Sequence, residues 1–173
     1  MFVEPLRGRS CNRAVCSRAL SSGQGSIEFA LTIGIALLLL LTVVDFGRMV
    51  AMQAAVVTAS REAARYGSAV GDTGSGTERY RDCAGIRQAA RNVTAGLIAM
   101  SDPNIVVSYD HGPSTAAHAS CPVGTPPAAS SISSLDRVIV QVTLIWEAIS
   151  PVGLVVGAVT MSSVSRRTIV KAP

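Results

Sequence analysis

The chain has 173 residues, of which 49% are hydrophobic, 15% charged and only 4% aromatic, with a formal net charge of +4. That leaves room for one modest domain beside a membrane segment, and an apolar content drawn mainly from Ala, Val, Leu and Ile suits an anchored chain better than an ordinary soluble one. The basic balance does not point to nucleic acid: Arg7, Arg9, Arg13 and Arg18 hold most of it, and the later arginines are interleaved with acids and lack an aromatic platform.

Residues 1–23 are basic and rich in Ser, without an apolar core, and they carry Cys11 and Cys16. From Ile27 the chain reads IEFALTIGIALLLLLTVV to Val44, with Glu28 as its one charge. As a helix this run covers roughly 27 Å, close to the hydrocarbon thickness of a bilayer. Leu37 to Leu41 are apolar on every face, which a half-buried soluble helix would not be. The arginines precede the segment, so the N-terminus is expected in the cytoplasm and everything after Asp45 outside. A cleaved secretory signal is the weaker reading, because its core is usually about 7–15 residues and small residues follow it. Here Asp45, Phe46, Gly47 and Arg48 follow.

The helical pattern outruns the membrane. Residues 45–67 contain no Pro, Gly47 is their one interior Gly, and Gly67 with the GDTGSG stretch supplies a stop. One helix is expected from about Ser26 to Tyr66, roughly 60 Å long. Its projecting half carries Gly47, Ala51, Ala55, Ala59, Ala63 and Gly67 at every fourth position. Such a ridge of small residues lets another helix approach closely, and it winds round the rod at 3.6 residues per turn. Plain Ala richness is the competing explanation.

Glu28 raises its own question, since a carboxylate at a membrane edge costs free energy unless it meets a cation. A cut after Gly23 would make Gln24 the new terminus and Glu28 its fifth residue, with Phe29 sixth and the apolar helix following. Gly23, four residues, Glu28-Phe29 and an apolar helix together resemble the prepilin-peptidase site of type IV pilins, particularly the Flp (tight-adherence) branch. More closely, residues 23–67 are similar to the TadE-like minor pilin or pseudopilin family. The Glu-Phe-Ala entry, Asp-Phe-Gly-Arg at 45–48 and Arg-Glu-Ala-Ala-Arg at 61–65 carry that resemblance. Family members often have Pro in the membrane helix where this chain has Gly34, and Gln24 stands where many type IV pilins have Phe. The resemblance implies removal of the leader by a prepilin peptidase. It also implies assembly through the helix with other pilins and the pilus machinery, with Glu28 meeting the new α-amino group of a neighbouring subunit. An unpaired buried charge would then penalise subunits added out of register.

Beyond the Gly-rich linker, residues 79–100 read as a second amphipathic helix, broken by Ser101-Asp102-Pro103. Residues 104–110 read as a strand, 111–134 as a long loop, 136–146 as the clearest strand, 150–159 as an apolar connection and 160–170 as a last strand. Strand order is not legible. The expected class is α+β, in three parts: a basic cytoplasmic leader (1–23), a transmembrane helix with its extension (24–67) and an extracytoplasmic module of antiparallel strands and one further helix (68–173).

Cys83 and Cys121 would face an oxidising exterior and are expected to pair as a disulfide, worth roughly 3–4 kcal/mol in the chain-entropy model. The competing idea is a metal held among Asp110, His111, His118 and Cys121; their spacing matches no standard zinc motif, so no metal and no other cofactor is assigned. Asn92-Val93-Thr94 is a formal glycosylation sequon within a predicted helix and is discounted. There is no nucleophile elbow, phosphate loop or flanked carboxylate pair, so no catalytic residue is assigned. The leading expectation is a minor pilin of the bacterial inner membrane, serving pilus biogenesis, adhesion or secretion. The rival is a permanent single-pass anchor with an outer binding module.

Overall fold

A computed structural model describes the backbone of residues 13–151 and 153–171 and the side chains of residues 24–151, 153 and 156–171. In chain order it contains α1 (Arg13–Ser68), α2 (Cys83–Thr94), β1 (Ile105–Asp110), β2 (Ala117–Ser120), β3 (Arg137–Trp146), α3 (Gly153–Val156) and β4 (Val159–Thr168). Short 3-10 turns lie at Arg79–Arg81, Asp102–Asn104 and Ala129–Ser131. The class is α+β, with a long N-terminal helix, one further principal helix and a four-stranded antiparallel sheet.

Helix α1 begins earlier than the sequence suggests, at Arg13 instead of Ser26. No Pro interrupts residues 13–68, and Arg13, Ala14, Arg18, Ala19 and Leu20 ahead of Ser26 are strong helix formers. Residues 1–12 of the expected leader lie outside the described residues. The helix ends one residue past Gly67, where the Ala69 amide donates to the Tyr66 carbonyl and Gly71 turns the chain at φ 105°.

The chain divides into two compact units, one up to Val44 and one from Asp45 onward. In the first, every described side chain from Gln24 to Val44 is exposed, Leu39 at 64% and Val43 at 71%. Among the described residues, α1 is the one helix long and apolar enough to cross a membrane. In its apolar stretch the Thr32 and Thr42 hydroxyls donate to the carbonyls of Glu28 and Leu38, each at 2.8 Å. In a hydrocarbon surrounding such internal bonds are the available way to satisfy a polar group.

The second unit is built on the sheet, in the order β2-β1-β3-β4, antiparallel throughout. Alternation along β3 sends Val138, Val140, Val142, Leu144 and Trp146 to one face, while Gln141 and Ile145 are exposed on the other. The register places Val107 of β1 and Ser165 of β4 on either side of Val140. Ile105, Val107 and Tyr109 of β1 join the buried face. Against it pack Val56, Ala59, Ala63 and Ala64 of α1 and Ile86 and Ala90 of α2, all fully buried. Burial of a Val or Ile side chain of this kind contributes about 1.5–3 kcal/mol.

Two expectations change. The loop expected over 111–134 contains β2, whose AHAS sequence has no strand-like pattern of its own and is held by pairing with β1. Helix α2 is shorter than 79–100 because Asp82 caps it, accepting the Gly85 amide at 2.9 Å. Gly85 is required there, since a Cβ would collide with Asp82 and the Tyr66 hydroxyl. That hydroxyl donates to the same carboxylate at 2.7 Å and ties the end of α1 to the start of α2.

Candidate functional site

The entry segment is continuous helix. Gly23, Gln24, Glu28 and Phe29 all lie within α1, with Gln24, Glu28 and Phe29 exposed. The backbone carbonyl of Glu28 is engaged by Thr32, while its carboxylate faces outward. Glu28 is thus the single charge of a wholly unburied apolar stretch.

Just beyond, Asp45 is buried, although the helix around it is not. Its carboxylate accepts the amides of Ile149 at 3.2 Å and Ser150 at 2.8 Å, and Arg48 pairs with it at 3.3 Å. The i,i+3 pairing of Asp45 with Arg48 follows from sequence spacing. The two amides do not, because nothing in the residues after Trp146 announces where that loop returns. Asp45 thus fastens the start of the projecting helix to the turn between β3 and α3.

The small-residue ridge divides in two. Gly47 and Ala51 are exposed, but Ala55, Ala59, Ala63 and Gly67 are buried within this module. A Cβ on Gly67 would stand 3.0 Å from Ile86 Cδ1 and 3.4 Å from Val138 Cγ2. The Ser60 and Ser163 hydroxyls meet at 3.0 Å across the same seam. At its C-terminal four positions the close approach is used within the chain, by α2 and the sheet. A sequence ridge does not tell which surface fills it.

In the outer module Cys83 and Cys121 are joined as a disulfide, with their Cα atoms 5.5 Å apart. Tyr109 lies against it, its hydroxyl 3.2 Å from Cys121 Sγ, and burial pushes the phenol's pKa up. Arg87, also buried, donates to the carbonyls of Cys83 and Cys121 and so braces both ends of the bridge. The helical pattern of α2 leaves Ile86 and Arg87 as alternatives for the inner face, and both are inside.

The four residues weighed for a metal do not gather. Cys121 is used in the disulfide. Asp110 is held by Arg137 through a bidentate pair at 2.7 and 2.6 Å, whose hydrogen bonds keep its carboxyl below the ordinary value of 3.8 against the opposing effect of burial. His111 and His118 do come together, but with Asp136, a residue outside the stretch that suggested the set.

With this geometry established, the comparisons are specific in one place. The family model described as TadE-like protein matches residues 23–65. That segment, from the glycine ahead of the apolar run to the last buried turn of α1, is TadE-like; the match does not extend to the sheet or α2. No curated protein and no solved structure matches the chain.

Proposed function

We propose that this chain is a minor pilin or pseudopilin of a tight-adherence (Flp-type) pilus system. The observation that carries the reading is the TadE-like match over residues 23–65, laid on a helix whose first part is exposed and apolar enough to cross a membrane. Together they fit a pilus-associated membrane protein. The finer steps are part of the proposal. A prepilin peptidase cleaves after Gly23 on the cytoplasmic side of the inner membrane and leaves Gln24 as the new terminus. The exposed apolar stretch then exchanges lipid for the helices of neighbouring subunits. Glu28 pairs with a neighbour's α-amino group, which offsets the cost of removing both charges from water. The outer module, braced by its disulfide and by Asp45, is displayed for filament assembly, adhesion or secretion. The chain's task on this reading is assembly, with no catalytic step.

Mass spectrometry of the protein from its native membrane, combined with Glu28→Ala, tests the proposal. A mature chain beginning at Gln24 is expected, and Glu28→Ala should insert in the membrane normally but be lost from sheared filaments. A native terminus ahead of Gly23, with the chain absent from sheared filaments, would instead favour a permanent single-pass anchor; a Glu28→Ala chain incorporated like the wild type would overturn the role given to Glu28.

A further inference from the structure

A second site lies in the outer module, independent of the pilus reading. His111 in the β1–β2 turn, His118 on β2 and Asp136 just before β3 bring one ligand atom each to within 4.8 Å of one another. His111 Nδ1 is 2.9 Å from Asp136 Oδ1, and His118 Nε2 is 3.5 Å from Oδ2. His118 Nε2 is also 2.9 Å from the Ser131 carbonyl oxygen, and the Ser133 amide donates to Asp136 Oδ2 at 2.6 Å. The two imidazole rings stack with centroids 3.8 Å apart.

Three features point beyond a hydrogen-bonded cluster. The Asp136 side chain is only 4% exposed, and its ion-pair contacts among the described residues are the two imidazoles; the adjacent Arg137 is committed to Asp110. A carboxylate so placed is an acceptor for a cation. Next, donors about 2.0–2.1 Å from a tetrahedral ion are about 3.3 Å apart; the two imidazole nitrogens stand 2.9 and 3.5 Å from the two Asp136 oxygens, and one ligand atom from each residue lies within 4.8 Å of the others, so a small closing movement brings the set round one ion. Finally, the fold spends stability to aim the carboxylate: Leu135, a bulky residue at φ 79°, closes the turn in which Asp136 caps the Ser133 amide. Parallel rings keep their nitrogen lone pairs in separate planes, so one ring must turn for both to reach one ion. His111, with its side chain 57% exposed, is free to do so, while His118 is the more enclosed.

We propose that His111, His118 and Asp136 bind one late first-row divalent cation of the Zn2+ class, the class suited to two imidazoles and a carboxylate. The open side at His111 leaves a coordination position for water. On binding, any proton on a ligating nitrogen is displaced to solvent, and the ion cross-links the β1–β2 turn to the start of β3. Sequence spacing alone misses the site because Asp136 is brought in by strand pairing, from the far side of the loop.

The test uses the full chain in detergent, with Cys11→Ser and Cys16→Ser to remove competing thiols, titrated with Zn2+ at about pH 7.5 by calorimetry and by thermal unfolding. Uptake of one Zn2+ per chain and a rise in the unfolding midpoint are expected. His111→Ala should weaken binding by at least about tenfold, and adding His118→Ala should abolish both signals. Because His111 is exposed, folding of its variant is checked by the intact Cys83–Cys121 bridge and unchanged circular dichroism. Absence of stoichiometric uptake by the parent chain would overturn the proposal, as would undiminished binding by the folded His111→Ala chain or the double variant.

Discussion

Residues 24–44 and 45–68 belong to one helix, the first drawn mainly from Leu and Ile and the second from Ala, Val and Met, and they are used in opposite ways. The first stretch buries none of its side chains within the molecule, whereas the second buries Ala55, Val56, Ala59, Ser60, Ala63 and Ala64. The difference is one of side-chain size and patterning. Large residues on every face, as in Leu37 to Leu41, leave no polar side to turn to water and suit a uniformly apolar solvent. Small residues at every fourth position, flanked by Arg61, Glu62 and Arg65, make a close-packing seam on one side and a solvated surface on the other. The helix thus passes from a surface matched to a surrounding medium to one matched to particular neighbours.

The contrast should be sharpest when a large side chain is cut back. Ile86→Ala, at a fully buried position in α2, should destabilise the outer module by about 2–5 kcal/mol. Leu39→Ala should leave the module's chemical unfolding curve within about 0.5 kcal/mol of the parent. A smaller effect separates the two ends of the ridge. Ala63→Leu overfills the seam beside the sheet and should cost about 1–3 kcal/mol, while Ala51→Leu, on the exposed part, should be within about 0.5 kcal/mol. Equal responses at Ala63 and Ala51 would show that the seam is not where the structure puts it.

How much of this is visible beforehand depends on the range of the physics involved. The helix, its apolar stretch and the alternation of Val138, Val140, Val142 and Leu144 follow from local sequence pattern, so they are legible. Strand β2 is not: Ala117 to Ser120 have no apolar rhythm and become a strand through the edge that β1 offers. The same holds for the groups that gather around carboxylates. Asp45 with Arg48 can be read from helical spacing, but Asp45 with Ile149 and Ser150 depends on a chain return about a hundred residues later. Asp136 joins His111 and His118 for the same reason, because β1 and β3 are paired in register at Asp110 and Arg137. The TadE-like segment was readable because its chemistry is contiguous; the histidine cluster was hidden because its chemistry is assembled by the sheet.

Charge carries the contrast further, with the smallest expected effect. In the apolar stretch the lone carboxylate, Glu28, is exposed, whereas in the module Asp110 is buried and doubly bonded to Arg137. Hydrogen bonds from Arg137 outweigh burial and hold the folded Asp110 carboxyl below 3.8. At Asp136 burial pushes upward, but the Ser133 amide and His111 prevail and its value is lowered too. A depressed folded value means that the unfolded chain takes up protons first as the pH falls. The contribution of these groups to stability is therefore complete above about pH 4 and is lost below it, as the pH drops through the folded values. Urea unfolding from pH 7 down to about pH 2 should show this acid limb in the parent. Asp110→Asn should be less stable at pH 7, because Arg137 loses its charged partner, and should show a shallower acid limb. Glu62→Gln supplies the control, since Glu62 lies 3.8 Å from Arg65 with both side chains exposed, and its change should be within about 0.5 kcal/mol. An unchanged limb in Asp110→Asn would mean that the buried pair holds the strands in register without contributing to the pH dependence, and would place the acid sensitivity at Asp136 instead.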